Sequence, residues 1–296
     1  MMPSATHTTR LNRWVDWLDP YLRLTRLNKP IGSFLLLWPT LWALWIAADG
    51  QPKAHIVVIF VLGVFAMRSA GCIINDYADR NFDAHVERTK DRPLATGELT
   101  EKQAIAAFFL LLTFSFSLVC LLKIETIKFS FIALFIACLY PFLKRFTYLP
   151  QLLLGVAFSC GIPMAFIEQQ GSVGSVGWIL LGANLLWVVA YDTLYAMVDR
   201  EDDLKTGIKS TAILFGKYDL RIVAILEIVS LLMLALLANH LGFNSYYYFG
   251  LACALCHLGY QLWLSQDRQR DRLLRAFISN TWFGAFIFIG LVLNYL

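Results

Sequence analysis

Charge is what this chain has least of. Only 16% of its 296 residues are Asp, Glu, Lys or Arg, where a soluble domain carries about 25%. That deficit argues against a water-soluble enzyme. Cysteine is sparse as well, and all six (Cys72, Cys120, Cys138, Cys160, Cys253, Cys256) lie in or beside apolar runs. No disulfide framework follows from them. Cys253 and Cys256 form a CxxC ahead of His257, but no second cysteine pair accompanies it, so these read as small buried residues rather than a metal site. No cleavable leader is expected, because residues 1–29 are polar and basic and the first apolar run is already long enough to span a bilayer. No nucleic-acid partner is expected.

Apolar runs fill the space that charge leaves. Hydrophobic residues make up 58% of the chain, and the mean hydropathy is +0.59. A bilayer span needs roughly 20 apolar residues. The pattern predicts an all-α polytopic membrane protein, a single domain over 1–296 with nine helices bundled around a cavity open to the cytoplasmic side. The expected spans are 31–48, 56–74, 103–122, 129–143, 149–167, 177–197, 222–241, 246–264 and 276–295, with the fourth unusually short. With the N-terminus inside, the inside segments hold nearly all of the Lys and Arg. The outside loops hold only Lys53, Lys123 and Lys128, and Arg68 lies within a span. This positive-inside bias places the N-terminus in the cytoplasm and the C-terminus outside. Residues 11–29 mix Trp, Leu and Arg and read as an interfacial segment.

Two acid-rich stretches break the apolar pattern. The first is NDYADRNFDAHVERTKDRPLATG, from Asn75 to Gly97. Asp76, Asp79 and Asp83 are spaced i, i+3, i+7, which puts all three carboxylates on one helical face. Like charges at that spacing repel, so the face calls for a cation. The second is YDTLYAMVDREDDLKTGIKS, from Tyr191 to Ser210. There Asp192, Asp199 and Asp203 share one face with Tyr195, Asp202 points aside, and Gly207 is placed to stop the helix. Asp192 falls inside the apolar run, where a carboxylate is costly and marks function by default.

Either stretch alone reads as a solvated acidic helix end. Two matched clusters on the same membrane side point instead to a shared divalent-cation site. Hard oxygen ligands suit Mg²⁺, which commonly completes its shell with substrate phosphates. Lys90, Arg92, Lys144, Arg145, Lys205 and Lys209 supply further cations for a diphosphate. A metal-bound diphosphate is a good leaving group. An allylic chain on it would be held among the 22 Phe and 9 Trp of the chain, most of which individually serve packing or face lipid.

At these motifs the sequence resembles the UbiA-type membrane prenyltransferases. Asn75-Asp76-x-x-Asp79-x-x-x-Asp83 matches the family's first aspartate motif, and Asp199-x-x-x-Asp203 its second. LNKPIGSFLLLWPTLWALWIA (Leu27 to Ala47), YPFLKRFTYLPQLLLG and YDTLYAMVDREDDLKTGIKSTAILFG extend the likeness, which covers most of the chain and is strongest to the branch acting on 4-hydroxybenzoate in ubiquinone biosynthesis. The resemblance implies a bacterial inner-membrane enzyme. It implies Mg²⁺-dependent transfer of a polyprenyl group from polyprenyl diphosphate to the ring carbon meta to the carboxylate of 4-hydroxybenzoate. It further implies that Asn75, Asp76, Asp79 and Asp83 bind one metal–diphosphate half, and Asp199 and Asp203 the other. Lys144, Lys205 and Lys209 would assist on the diphosphate, and Asp192 would orient the acceptor or receive its proton. The acceptor carboxylate needs a cation, Arg145 first and Arg68 next. Arg68 stands seven residues before Asn75, near the same face but two turns deeper. Alternatives are a prenyltransferase for another aromatic or haem acceptor and a cation-coupled membrane carrier. The sequence shows no inverted repeat to support the carrier.

Overall fold

In the computed structural model, the chain is described over residues 17–83, 88–143 and 145–296, with side chains for all of these except 81–83. No strand occurs among the described residues. After a helical stretch at 17–24 come α1 (Ile31–Ala47), α2 (Ala54–Asp83), α3 (Glu101–Val119) and α4 (Ile124–Leu143). Next are α5 (Pro150–Ser159), α6 (Gly161–Gln170), α7 (Ser175–Thr206), α8 (Asp219–Leu241), α9 (Ser245–Ser265) and α10 (Arg270–Tyr295). Short helical turns at Pro93–Thr96 and Thr211–Phe215 follow the two acidic helices.

Each expected span is matched in position by helix. Among the described residues, seven helical runs are long and apolar enough to cross a membrane, with α5 and α6 counted as one; α1, at 17 residues, and α9 fall outside that group. One expectation is corrected. The fourth span is not short, since α4 starts at Ile124 and carries Glu125 and Lys128 in its first turns. The fifth runs from Pro150 to Gln170 as expected, with one irregular turn at Cys160 between α5 and α6. Pro163 has no N–H to offer the carbonyl of Ser159, so one rung of the helical ladder is missing there.

α2 has 30 residues and α7 has 32. At 1.5 Å per residue each is about 45 Å long or more, well beyond the roughly 30 Å of a hydrocarbon core. Both continue without interruption from apolar sequence into their aspartate motifs. α7 ends where Gly207 adopts φ 74° and closes the helix through its N–H to the Asp203 carbonyl.

The centre of the bundle is aromatic. Trp187 of α7 stacks on Phe283 of α10 at 5.0 Å and meets Trp42 of α1 at 5.5 Å. Both indoles are satisfied: Trp42 donates to the Gly284 carbonyl at 3.1 Å and Trp187 to Asn280 Oδ1 at 3.0 Å. α9 and α10 approach closely where Gly250 and Gly290 face each other. A Cβ on Gly290 would lie 3.1 Å from the Gly250 Cα and from the Tyr246 carbonyl, the small-residue contact by which membrane helices bring their backbones together. α3 and α4 do the opposite. Phe109, Leu110, Phe131 and Phe135 are all more than half exposed, an apolar face suited to lipid tails.

Candidate active site: two aspartate helices on one cavity

A cavity of about 1120 Å³ runs into the bundle beside α2 and α7. Its mouth is polar. Asn75, Asp76 and Asp79 of α2 and Asp192, Asp199 and Asp203 of α7 all line it, together with Arg26, Lys29, Arg68, Arg88, Arg92 and Lys209. Its depth is apolar, walled by side chains such as Ile59, Phe60, Leu118, Leu122 and Leu134. The spacing argument therefore holds in three dimensions. Each helix turns one acidic face inward, and the two faces share one space.

The carboxylates are buried and held by arginines from elsewhere. Asp76 is 1% exposed. It accepts from Arg26 Nη2 at 2.8 and 2.9 Å and pairs with Arg92 Nη1 at 2.9 Å. Arg26 reaches it from the segment ahead of α1, with its backbone at φ 60°. Asp199 accepts from Arg88 Nε at 2.9 and 3.0 Å. Arg88 also donates to the Tyr195 hydroxyl, and its guanidinium lies 4.6 Å over the Tyr195 ring. Asp79 and Asp203 are likewise buried. Asp202 points away, as its register implies, to Arg270 at 3.1 Å and Lys205 at 3.7 Å.

Asp192 sits deeper, 9% exposed. Arg68 and Arg88 are the cations nearest it in effect, and Gln151 lines the same cavity. Arg68 lies 5.5 Å over the Phe158 ring, and its Nε has no hydrogen-bond partner. Gly32 makes room for it. A Cβ there would stand 2.5 Å from Arg68 Nε and 2.6 Å from Nη2, so the guanidinium rests directly against the α1 backbone.

Other sequence candidates are placed differently. Arg145 is exposed and is not among the lining residues; its Nη2 donates to the Ala78 carbonyl on α2 at 2.8 Å. Lys205 is 75% exposed and faces away from the cavity lining. Lys209 lines the mouth and donates to the Phe146 carbonyl at 3.3 Å. Lys144 and the side chain of Asp83 fall outside the described residues. Two residues carry no local signal. Arg26 reads as one more basic flank and Gln151 as an isolated amide beside Pro150, because only the tertiary structure brings Arg26 to Asp76 and Gln151 to the cavity.

The donor set fits a divalent cation of the hard, oxygen-loving kind. Every Asp or Glu on the cavity is an aspartate, and among the described residues no His lines it; Cys72 and Cys160 do, from within the helices. Among the described residues no three acids converge tightly enough to form a closed cage. An open arrangement of this kind suits an ion that completes its shell with water and phosphate oxygens. Asp76, Asp79, Asp199 and Asp203 are the residues that would hold it.

Comparison with known proteins agrees with the motifs and the fold. The chain is 51% identical over 290 residues to a 4-hydroxybenzoate octaprenyltransferase of Chromohalobacter salexigens, covering 98% of this chain and 96% of that one. It is 52% identical over 276 residues to the protein of that name in Aeromonas salmonicida, covering 93% and 96%. A UbiA homologue from Aeropyrum pernix superposes with a TM-score of 0.79 at 22% identity, over 90% of this chain and 99% of its own. Another, from Archaeoglobus fulgidus and bound to GPP and Mg²⁺, gives 0.69 at 18% identity, over 92% and 99%. Residues 36–289 match the UbiA prenyltransferase family, and the chain is a member of that family.

Proposed function

We propose that this chain is a divalent-metal-dependent 4-hydroxybenzoate polyprenyltransferase of ubiquinone biosynthesis, with Mg²⁺ as the metal and polyprenyl diphosphate as the donor. The observation that carries the reading is the shared cavity: two aspartate faces at its mouth, an apolar interior, and Arg68 on the same wall as the buried Asp192. The near-full-length relatives at about half identity bear the corresponding name. The arrangement belongs to the bacterial inner membrane, with the aspartate ends of α2 and α7 and the N-terminus cytoplasmic, where the Lys and Arg bias puts them.

Asp76, Asp79, Asp199 and Asp203 would hold the divalent cation, which when bound would supply electrostatic stabilisation of the departing diphosphate. Arg26, Arg88, Arg92 and Lys209 surround the same mouth and bind phosphate oxygens. The apolar interior takes the prenyl chain and keeps water from the allylic cation. Arg68 pairs with the acceptor carboxylate, because it faces the cavity and has an unused Nε, whereas Arg145 is spent on the Ala78 carbonyl outside the lining. As the carbon–oxygen bond to diphosphate breaks, the allylic carbon joins the ring carbon ortho to the hydroxyl. The proton lost from that carbon goes to Asp192.

Purified protein in liposomes with geranyl diphosphate, 4-hydroxybenzoate and Mg²⁺ is expected to form prenylated hydroxybenzoate by mass spectrometry, and to form none with EDTA. Asp76→Asn or Asp199→Asn should cut turnover by about a hundredfold or more without unfolding the protein. Diphosphate release with no such product would move the reading to another acceptor. Absence of any metal-dependent release would overturn it.

A further inference from the structure

The cavity follows α2 for most of that helix. Asp79, Asn75, Gly71, Met67, Gly63 and Ile59 succeed one another four residues apart, and all six line it. At 1.5 Å per residue the stretch from Asp79 to Ile59 is about 30 Å long. The cavity therefore reaches from the aspartate mouth across roughly the thickness of a hydrocarbon core. Two of the six are glycines inside a helix, where glycine is less stable than any residue but proline. Neither backbone nor packing accounts for Gly63. It is not among the glycines with positive φ. A Cβ on it would meet no described atom within 4 Å, whereas one on Gly250 would lie 2.6 Å from the Phe286 carbonyl. Ile59, Phe60 and Val64, its neighbours on the wall, are all large and buried. What the missing side chain leaves is room in the cavity.

The depth of that room gives it a meaning. Along the helix axis Gly63 lies about 20 Å from Asp76. An isoprene unit adds four chain bonds, about 5 Å when extended at ordinary carbon–carbon bond lengths. A two-unit chain leaving a diphosphate at the mouth stops about halfway to Gly63. A four-unit chain reaches it, and longer chains pass it. Beyond Gly63 the wall continues with Ile59 and Phe60 of α2 and Leu118 and Leu122 of the α3 end, all apolar.

We propose that Gly63 decides which prenyl chains the enzyme accepts: it leaves the cavity open at the depth of the fourth isoprene unit, so long polyprenyl diphosphates fit, and a side chain there restricts the enzyme to short ones. The proposal rests on the reading of polyprenyl diphosphate as the donor, with its diphosphate at the aspartates. The cavity also borders Ile31 and Leu35 of α1 and Leu274 and Ile278 of α10. A chain that left the bundle between those two helices would never meet Gly63. The unbroken row of wall residues along α2, ending in an apolar chamber past Gly63, favours the path along the helix.

The test is kcat/KM for geranyl diphosphate, with two units, and hexaprenyl diphosphate, with six. Wild type, Gly63→Ala, Gly63→Leu and Gly71→Leu are compared in liposomes with Mg²⁺ and saturating 4-hydroxybenzoate, and melting temperatures are recorded alongside. Gly63→Leu is expected to raise the geranyl-to-hexaprenyl ratio about tenfold or more, the scale on which a few methylenes discriminate in an apolar pocket. Gly63→Ala should raise it less. Gly71 lies only about 8 Å from Asp76 along the axis, within reach of both chains, so Gly71→Leu should lower both and move the ratio less than Gly63→Leu does. Gly63→Ala adds one methyl group to open space and a better helix former, so its melting temperature should not fall, and its ratio decides the matter if Gly63→Leu does not fold. An unchanged ratio in folded Gly63→Leu, or in Gly63→Ala when Gly63→Leu does not fold, would overturn the proposal and send the chain out between α1 and α10. An equal rise in Gly71→Leu would overturn it too. Wild-type protein that transfers neither chain would overturn the donor reading itself, and the role of Gly63 with it.

Discussion

Arg88 grips Asp199 side-on, its Nε 2.9 Å from one carboxylate oxygen and 3.0 Å from the other, with its guanidinium plane resting over Tyr195. Arg26 and Arg92 hold Asp76 in the same manner. The two carboxylates best placed to hold a metal therefore already carry cations. Charge balance inside a buried cluster requires this, because an unpaired buried carboxylate is strongly destabilising.

A consequence is that metal and diphosphate should bind together. A divalent ion arriving alone has to displace an arginine from Asp199 or Asp76. When the diphosphate arrives with it, the displaced arginines regain a partner in the phosphate oxygens. Titration calorimetry is expected to show weak Mg²⁺ binding to the protein alone and binding at least about tenfold tighter with a non-hydrolysable prenyl diphosphate, a coupling of about 1.4 kcal/mol or more. Arg88→Gln should strengthen binding of the ion alone while weakening that of the diphosphate. Equal metal affinity with and without diphosphate would contradict the exchange.

Arg68 and Gly32 should behave as a pair. Arg68→Gln removes the charge proposed to meet the acceptor carboxylate and should raise the KM for 4-hydroxybenzoate about tenfold, leaving that for the prenyl donor near normal. Gly32→Ala puts a methyl group where the guanidinium lies, 2.5 Å from its Nε, and should reproduce part of the same defect. Arg145→Ala, which removes a donor to a backbone carbonyl on α2, should shift the acceptor KM less than Arg68→Gln does.

Acid should loosen the contact between the 17–24 helix and the loop ahead of α3. The hydrogen bond from Arg23 is the main reason the Glu98 carboxyl is held below its ordinary value of 4.5. A depressed carboxyl contributes stability that is present above its unfolded value and lost as pH falls through the lower folded one. Hydrogen exchange at residues 17–24 should therefore stay slow through neutral and mildly acidic pH and quicken only at stronger acidity. Glu98→Gln should make it fast throughout. Exchange in the wild type that is independent of pH would remove the role of this contact.

Gly290 should tolerate nothing larger. With its Cβ position 3.1 Å from the Gly250 Cα and from the Tyr246 carbonyl, Gly290→Val must push α9 and α10 apart. Overpacking of this sort costs about 1–3 kcal/mol. A melting temperature unchanged in Gly290→Val would show that these helices are free to separate.

Much of this architecture was legible because helix geometry is local. The run from Ala54 through Asp83 stays helical across the change from apolar to charged sequence, so residue spacing alone places Asp76 and Asp79 on a common face. The same holds for Asp192, Asp199 and Asp203, ended where Gly207 takes a positive φ. Length and apolarity located the helices, except where Glu125 and Lys128 hid the start of α4.

Tertiary structure decided which partners meet across the chain. Arg26 lies 50 residues from Asp76, Arg88 lies 111 from Asp199, and Thr211 lies 60 from Gln151. Arg68 and Arg145 look alike as cations near an apolar boundary, yet one faces the cavity and the other a carbonyl outside it. Residue spacing along one helix sets a face because 3.6 residues make a turn whatever surrounds them. Pairing between helices depends on how close their backbones pack and which side chains that approach buries, and those distances exist only once the bundle is assembled.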